Sequence, residues 1–293
     1  MELKKRYRGT ILGLAIGDAL GMPAEGLSAE EIKSKFGYID EFIPSPNGFK
    51  AGEWTDDTEE MLILAESILE TIYFNPENFA RKLVNAMNSG RLIKAGPTTR
   101  RAIYNLQRGF PWNRSGINAD TCGAAMRIAP LGLVYSFSLD LVEKYSYISS
   151  IVTHRGNSAI SGAIAISISI ACICNEFERS RLLDEVVKRS GKFDSLLADK
   201  ILAKKVEGVS MLSWDAVPSA FHHFLTSENF RECVAGAVNS GGDTDSIAAM
   251  AGAMKGAEVG INKIPEKWVK NVKDSDYLIE IADRLYELSS AFF

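Results

Sequence analysis

The sequence predicts an all-α protein built as a single domain, and three observations carry that expectation. Apolar residues recur at helical spacing in segment after segment. Residues that start and stop helices bracket those segments. No repeat, low-complexity tract or linker composition interrupts the 293 residues, a length that by itself allows one domain or two.

Taken in order, Tyr7, Ile11, Leu14 and Ala15 fall at i, i+4, i+7 and i+8 and mark the buried stripe of a first helix. Ser28-Ala29-Glu30-Glu31 is a capping box, in which the serine hydroxyl and the glutamate carboxylate satisfy free amides at the head of a short second helix. Between Phe36 and Trp54, Gly37, Pro44, Pro46, Gly48 and Gly52 predict a long loop, and loops of that length serve function or stay disordered. A strong helix is expected from about 57 to 74. Asn75-Pro76 opens the next, since proline is accepted in a first turn, and Gly90 ends it. Further helices are expected near 98–108, 121–137, 139–152, 157–175, 181–190, 194–207, 229–239, 243–260 and 275–290. Large and small residues alternate from Ile164 to Cys174, which also fits a strand, but the length of the segment and its alanines and serines favour a buried helix. Ala248, Gly252, Gly256 and Gly260 recur every fourth residue, so one helix face is stripped of side chains and a neighbouring helix can approach it closely.

With 46% hydrophobic and 24% charged residues, the chain has an ordinary globular composition, and its length lets it bury enough apolar surface to fold without disulfides. The formal charge of -4 leaves no basic stripe to track a phosphate backbone, which argues against bulk nucleic acid as a partner. A local pocket can still hold a small anion. Cys122, Cys172, Cys174 and Cys233 form no C-x-x-C pair and read as reduced thiols. Only Thr10 to Ile16 is apolar and uncharged between Arg8 and Asp18, so the N-terminus suits a helix better than a signal peptide. The most apolar segment, 159–174, is short for a bilayer and diluted by Ser161, Ser167 and Ser169. No membrane partner and a cytoplasmic location are the expectations.

Two segments carry chemistry. Thr55-Asp56-Asp57-Thr58 precedes an apolar helix, and helix capping explains it by itself, because Thr and Asp are favoured caps and first-turn carboxylates complement the helix dipole. Ser240-Gly241-Gly242-Asp243-Thr244-Asp245-Ser246 is less ordinary, with two carboxylates and two hydroxyls crowded into four positions behind a flexible Gly-Gly. Such carboxylates repel unless a cation or a proton relieves them. Oxygen donors select hard cations: magnesium, manganese or calcium. The two clusters, each at a helix start and far apart in sequence, can form two halves of one dinuclear site if they meet. The D-x-D-x-T pattern of haloacid-dehalogenase phosphatases is a rival reading, but there the first Asp ends a buried strand, and here CVAGAVNS reads as a helix ending in a turn.

In order along nearly the whole chain, the sequence carries Gly17-Asp18-Ala19-Leu20-Gly21 with Glu25; Gly52-Glu53-Trp54-Thr55-Asp56-Asp57-Thr58; Gly123-Ala124-Ala125-Met126-Arg127; Thr153-His154; and Gly241-Gly242-Asp243-Thr244-Asp245-Ser246. This ordered set resembles the ADP-ribosylhydrolases, the family that includes the dinitrogenase-reductase-activating glycohydrolase. The resemblance implies an orthogonal helical bundle around a cleft with two divalent cations, Mg2+ or Mn2+, and cleavage of the bond between the terminal ribose of ADP-ribose and an acceptor. It implies metal ligation by Thr55, Asp56, Asp57, Asp243, Asp245 and Ser246, the last being a position where the family commonly has Thr. Glu25, Asp56 and Asp245 are the implied catalytic residues, with Glu25 orienting or deprotonating water. The loop 118–123, with Asp120, Thr121, Cys122 and Gly123, resembles one that wraps a pyrophosphate with backbone amides, although many relatives have Asn at the place of Cys122. His154 is expected to bond the pyrophosphate or a ribose hydroxyl, and Gly96 and Thr98 to line the substrate. Arg127 is expected as a phosphate clamp or a structural ion pair, and His222-His223 as structural. The implied partner is an ADP-ribosylated protein or a small ADP-ribose conjugate. Two alternatives stay open: a non-catalytic ADP-ribose-binding or structural protein on the same fold, as with an eye-lens crystallin that resembles this family, and a metal-dependent phosphatase.

Overall fold

The computed structural model describes residues 2–92, 94–203 and 210–292, and within them the chain forms sixteen α-helices and no strand. In order these are α1 (Leu3–Gly21), α2 (Ala29–Phe36), α3 (Asp56–Thr71), α4 (Pro76–Asn88), α5 (Pro97–Gln107), α6 (Trp112–Ser115), α7 (Ala129–Val134) and α8 (Leu139–Ile151). There follow α9 (Asn157–Cys174), α10 (Arg179–Ser190), α11 (Ser195–Ala203), α12 (Ser213–Thr226), α13 (Phe230–Asn239), α14 (Thr244–Val259), α15 (Glu266–Asn271) and α16 (Ser275–Ser290). The all-helical expectation holds. The end of the helix expected at 194–207 lies outside the described residues.

Local chemistry sets the helix ends. Ser28 and Glu31 form the expected capping box of α2. Asn75 accepts from two amides at the head of α4, with Pro76 in its first turn. Helix α3 stops at Ile72, whose backbone turns left-handed at φ 67°, a strained conformation for a β-branched residue. The loop between α2 and α3 is irregular throughout, as its glycines and prolines predict.

Two expectations change. The helix expected at 121–137 is a 3-10 turn at Cys122–Ala124 followed by the short α7, because Pro130 sits in a first turn and marks a start rather than an interior. Helix α12 was not expected at all. Pro218 lies inside it and removes one amide donor, and Lys200 Nζ donates to the Trp214 carbonyl that this amide would have served.

Helix α9 lies at the centre, packed by α7, α8, α10, α12 and α14. By length and composition its 18 residues could cross a membrane, yet 89% of it is buried within the molecule. Each isoleucine buried along it contributes about 1.5–3 kcal/mol of transfer free energy. Its serines keep their hydroxyls satisfied, Ser161 by the Ser190 carbonyl, Ser167 by Ser146 and Ser169 by the Ala165 carbonyl. The closest helix pair is α1 with α14. Gly9, Gly13, Gly17 and Gly21 of α1 face Gly256, Gly252, Ala248 and Thr244 of α14 so tightly that a Cβ on any of these four α1 glycines would strike backbone. The small-residue stripe read on α14 is therefore a packing surface, and it meets a matching stripe on α1.

Candidate active site and metal centre

The α1–α14 pair sets the register of the site. Asp18, fully buried on α1, reaches across to the head of α3. There its carboxylate accepts from the amides of Thr55 (2.9 and 3.0 Å) and Thr58 (3.0 Å) and from the Thr58 hydroxyl (2.6 Å). One α1 side chain thus caps α3 while the glycines beside it hold the head of α14 against the same stretch of α1. The Thr244 hydroxyl donates to the Gly21 carbonyl at 2.7 Å and locks that end. Gly241 and Gly242 turn at φ 85° and 82°, values that favour glycine, and bring Asp243 to the start of α14. The same turn straps the Glu25 segment, since the Gly26 amide donates to the Gly242 carbonyl and the Gly242 amide to the Leu27 carbonyl, both at 2.7 Å.

Glu25, Asp243 and Asp245 thereby place one carboxylate oxygen each within 4.8 Å of one another. The second cluster faces them. Burial pushes Asp57 well above the usual carboxylate range, and the Asp245 charge adds to it ahead of Asp18, Asp56 and Asp243. Asp245 is raised by burial, then by Asp243, Glu25, Asp18 and Asp56. Asp56 is raised by burial, then by Glu60, Asp18 and Glu25. Charges that perturb one another in this way share one locale, so the two ends of the polypeptide converge. Among the described residues the site's carboxylates make a single ion pair, between Glu25 and Lys94 at 3.1 Å. Asp57 Oδ2 is buried with no hydrogen-bond partner. Crowded carboxylates with an orphaned oxygen and an all-oxygen donor set fit a hard divalent cation.

These residues form the acidic side of a cleft of about 380 Å³, within the size range of small-molecule sites. The same cleft is lined by the turn into α5, with Gly96, Pro97 and Thr98, and by the segment Thr121-Cys122-Gly123 over His154. Twelve of the fourteen residues expected in the site line this cleft: Glu25, Asp56, Asp57, Gly96, Thr98, Thr121, Cys122, Gly123, His154, Asp243, Asp245 and Ser246. Thr55 does not; it is the buried cap of α3, its hydroxyl 3.5 Å from the Asp57 amide. Asp120 does not either, since its Oδ1 accepts from the Ser158 amide at the head of α9.

Cys122 donates its thiol to Asp243 Oδ2 at 2.9 Å, and its amide is committed to the Met211 carbonyl. Burial and then the Asp243 charge push this thiol well above its ordinary value, which removes thiolate character and any nucleophilic role. His154 is buried, and burial followed by the Arg127 charge pushes it down to about 3. The ring is neutral, and its two nitrogens bond the Thr153 and Thr121 hydroxyls. Arg127 is fully buried against Glu60, which assigns it to a structural ion pair rather than a phosphate clamp. Sequence reasoning missed Lys94 and Met211, which line the cleft, and the role of Asp18. Asp18 stood inside a quoted motif, but a cap supplied by another helix leaves no local signal.

The model of the ADP-ribosylglycohydrolase family matches residues 1–291. The chain belongs to the ADP-ribosylglycohydrolase family. This family member is 50% identical over 299 residues to an uncharacterized protein of Archaeoglobus fulgidus, covering 98% of this chain and 97% of the relative. It is 28% identical over 302 residues to the ADP-ribosylarginine hydrolase Tri1 of Pseudomonas putida, covering 96% of this chain and 78% of that protein. A solved structure described as an ADP-ribosylglycohydrolase-related protein complex superposes with a TM-score of 0.86 at 27% identity, over 98% of this chain and 99% of the other. Membership supports hydrolysis of ADP-ribose linkages as the class of activity, and the resemblance read from the sequence holds.

Proposed function

We propose that this ADP-ribosylglycohydrolase hydrolyses the bond between the terminal ribose of ADP-ribose and an acceptor on a protein side chain or a small molecule, in the cytoplasm and with two divalent cations, Mg2+ or Mn2+. The observation that carries the reading is the convergence of two acidic helix starts in one cleft, with a buried carboxylate oxygen left unpartnered. Asp56, Asp57, Asp243 and Asp245 would hold the ions, with Thr55 and Ser246 adding hydroxyl oxygens. Magnesium or manganese bound there supplies Lewis acidity toward water and ribose hydroxyls.

The protein's own groups do the rest. Water attacks the anomeric carbon as the bond to the acceptor breaks, and the acceptor leaves with the bonding electrons and gains the proton that Glu25 takes from the water, which returns Glu25 to its starting state. Positive charge that develops on the sugar ring, as in glycosidases, is stabilised by the carboxylates beneath it. Glu25 stands at the lip of the acidic side, partly exposed and held by Lys94, where it accepts the proton of the attacking water. Thr98 and the 121–123 turn line the same cleft and are the groups that would face the nucleotide.

The test is Asp245→Asn, assayed for ADP-ribose release from ADP-ribosylated substrates. Release should be abolished while the far-ultraviolet circular dichroism keeps its helical form. Full activity in the variant rules out the mechanism. Inorganic phosphate in place of ADP-ribose points to the phosphatase, and binding without release by the wild type points to a binding protein.

A further inference from the structure

We propose that the exposed face of α5, continued onto α6, is a docking surface for the acidic side of a protein acceptor. The inference rests on the ADP-ribose reading above and deepens it, since it names a carboxylate-rich protein surface as what presents the modified side chain to the cleft.

The distribution of charge along the chain is the first observation. Residues 78–119 hold eight of the 33 basic residues and none of the 37 acidic ones. The net charge of -4 averages this away, so the whole-chain figure conceals a local basic stripe. Half of the eight are neutralised by carboxylates from elsewhere: Arg81 and Lys82 by Glu70, Arg91 by Glu59 and Glu66, and Lys94 by Glu25. Arg100 turns back to donate to the Ala95 carbonyl at 2.6 Å. Arg101, Arg108 and Arg114 are exposed and make no ion pair among the described residues.

Their placement is the second. Helix α5 buries Thr99, Ala102 and Ile103 and turns positions 97, 100, 101, 104, 107 and 108 outward, a continuous stripe at helical spacing. That stripe starts at the active site, because the exposed Pro97 also lines the cleft. At a rise of 1.5 Å per residue it runs about 16 Å outward to Arg108. Helix α6 prolongs it, held against α5 by Asn105. The side-chain amide of Asn105 donates to the Ser115 carbonyl at 2.9 Å, and its own carbonyl accepts from the Phe110 amide at 3.1 Å. Two large rings stand in water among the cations. Tyr104 is 57% exposed with the Arg108 guanidinium 5.7 Å from its ring centre, and Phe110 is 45% exposed.

Carboxylates complement such a face, and its composition favours a protein as their carrier. The four basic residues of 97–115 are all arginines, and protein interfaces enrich arginine and tyrosine while they deplete lysine. Nucleic acid fits less well. A single strand is held in a groove with open platforms for its bases, whereas α5 is a convex ridge and Arg108 lies over the Tyr104 ring. A ridge that rises from the cleft rim touches only a partner wider than the mouth. An acceptor protein meets it, and a small conjugate does not reach it.

The test is steady-state release of ADP-ribose from an acidic carrier protein, a basic carrier protein of similar size and a small conjugate, each prepared in an arginine-linked and a serine-linked series. The wild type should show its lower carrier KM on the acidic protein, and that KM should rise with salt as screening weakens the attraction. In Arg101→Glu/Arg108→Glu it should rise about tenfold or more with kcat unchanged, while the small conjugate is cleaved as by the wild type. Arg101→Gln/Arg108→Gln should show a smaller rise of the same kind, and it decides the matter if the charge reversal unfolds the helix. A KM for the acidic carrier that ignores these substitutions, or a rise shared by the small conjugate in a variant with the wild-type helical spectrum, overturns the docking surface and leaves the proposed function standing. So does a single-stranded oligonucleotide that the wild type binds and the variants lose while the acidic carrier is cleaved as before. Absence of release from every substrate in both series overturns the function itself and this inference with it.

Discussion

Asp18 illustrates how one residue can organise a site without belonging to its donor set. Its four accepted hydrogen bonds fix the first turn of α3, where Asp56 and Asp57 stand. Substitution by asparagine keeps the volume but places an NH2 where amide and hydroxyl hydrogens now point, and a buried donor without an acceptor costs about 1–3 kcal/mol. Asp18→Asn is therefore expected to keep the helical spectrum and to weaken Mn2+ binding by about tenfold or more, measured by calorimetry. Unchanged affinity would show that the head of α3 does not depend on this cap. The candidate ligands themselves were legible in the sequence, because acid-rich helix starts are a local pattern. Their supports were not. The reach of Asp18 across to α3, the Glu25–Lys94 pair and the commitment of Asp120 to the α9 head all depend on which elements meet, and no spacing in the chain records that.

At the scale of elements, the α1–α14 pair is the part on which the site's geometry depends most. The α14 stripe was readable as a surface for close approach, whereas its partner became visible only once Gly9, Gly13, Gly17 and Gly21 were seen to face it. Gly13→Ala would push a methyl into the Gly252 carbonyl and toward the Phe230 ring. Backbone cannot swing aside as a flexible side chain can, so the expected cost is about 1–3 kcal/mol, read as a drop in the urea midpoint with unchanged slope. A midpoint equal to wild type would contradict the tight packing. Helix α12 shows the opposite failure of legibility. Its buried Ala216, Val217, Ala220, Phe221 and Phe224 follow helical spacing, but Pro218 among them reads as a break, and the lysine that takes up the freed carbonyl comes from a different helix.

The whole molecule encloses several buried like charges, and pH tests how it tolerates them. Asp56, Asp57 and Asp245 are all raised well above the ordinary aspartate value. A carboxylate raised on folding stabilises the protein fully below its unfolded pKa, near 3.9, and that contribution is lost as pH rises through the higher folded value. A divalent cation competes with protons for the same oxygens and relieves the same repulsion. Stabilisation by Mn2+, read as a thermal shift, should accordingly be small near about pH 5 and grow toward about pH 7.5. A shift that shrinks as pH rises would contradict the assignment of these carboxylates to the ions.

The most direct test of the central claim, that oxygens from both ends of the chain hold the same pair of cations, is the stoichiometry and affinity of Mn2+ binding to the wild type, Asp57→Asn and Asp245→Asn. The wild type should bind two ions, and each single substitution, one in α3 and one in α14, should weaken binding or remove an ion. A binding curve that responds to Asp245→Asn but not to Asp57→Asn would mean that the two acidic helix starts do not act together.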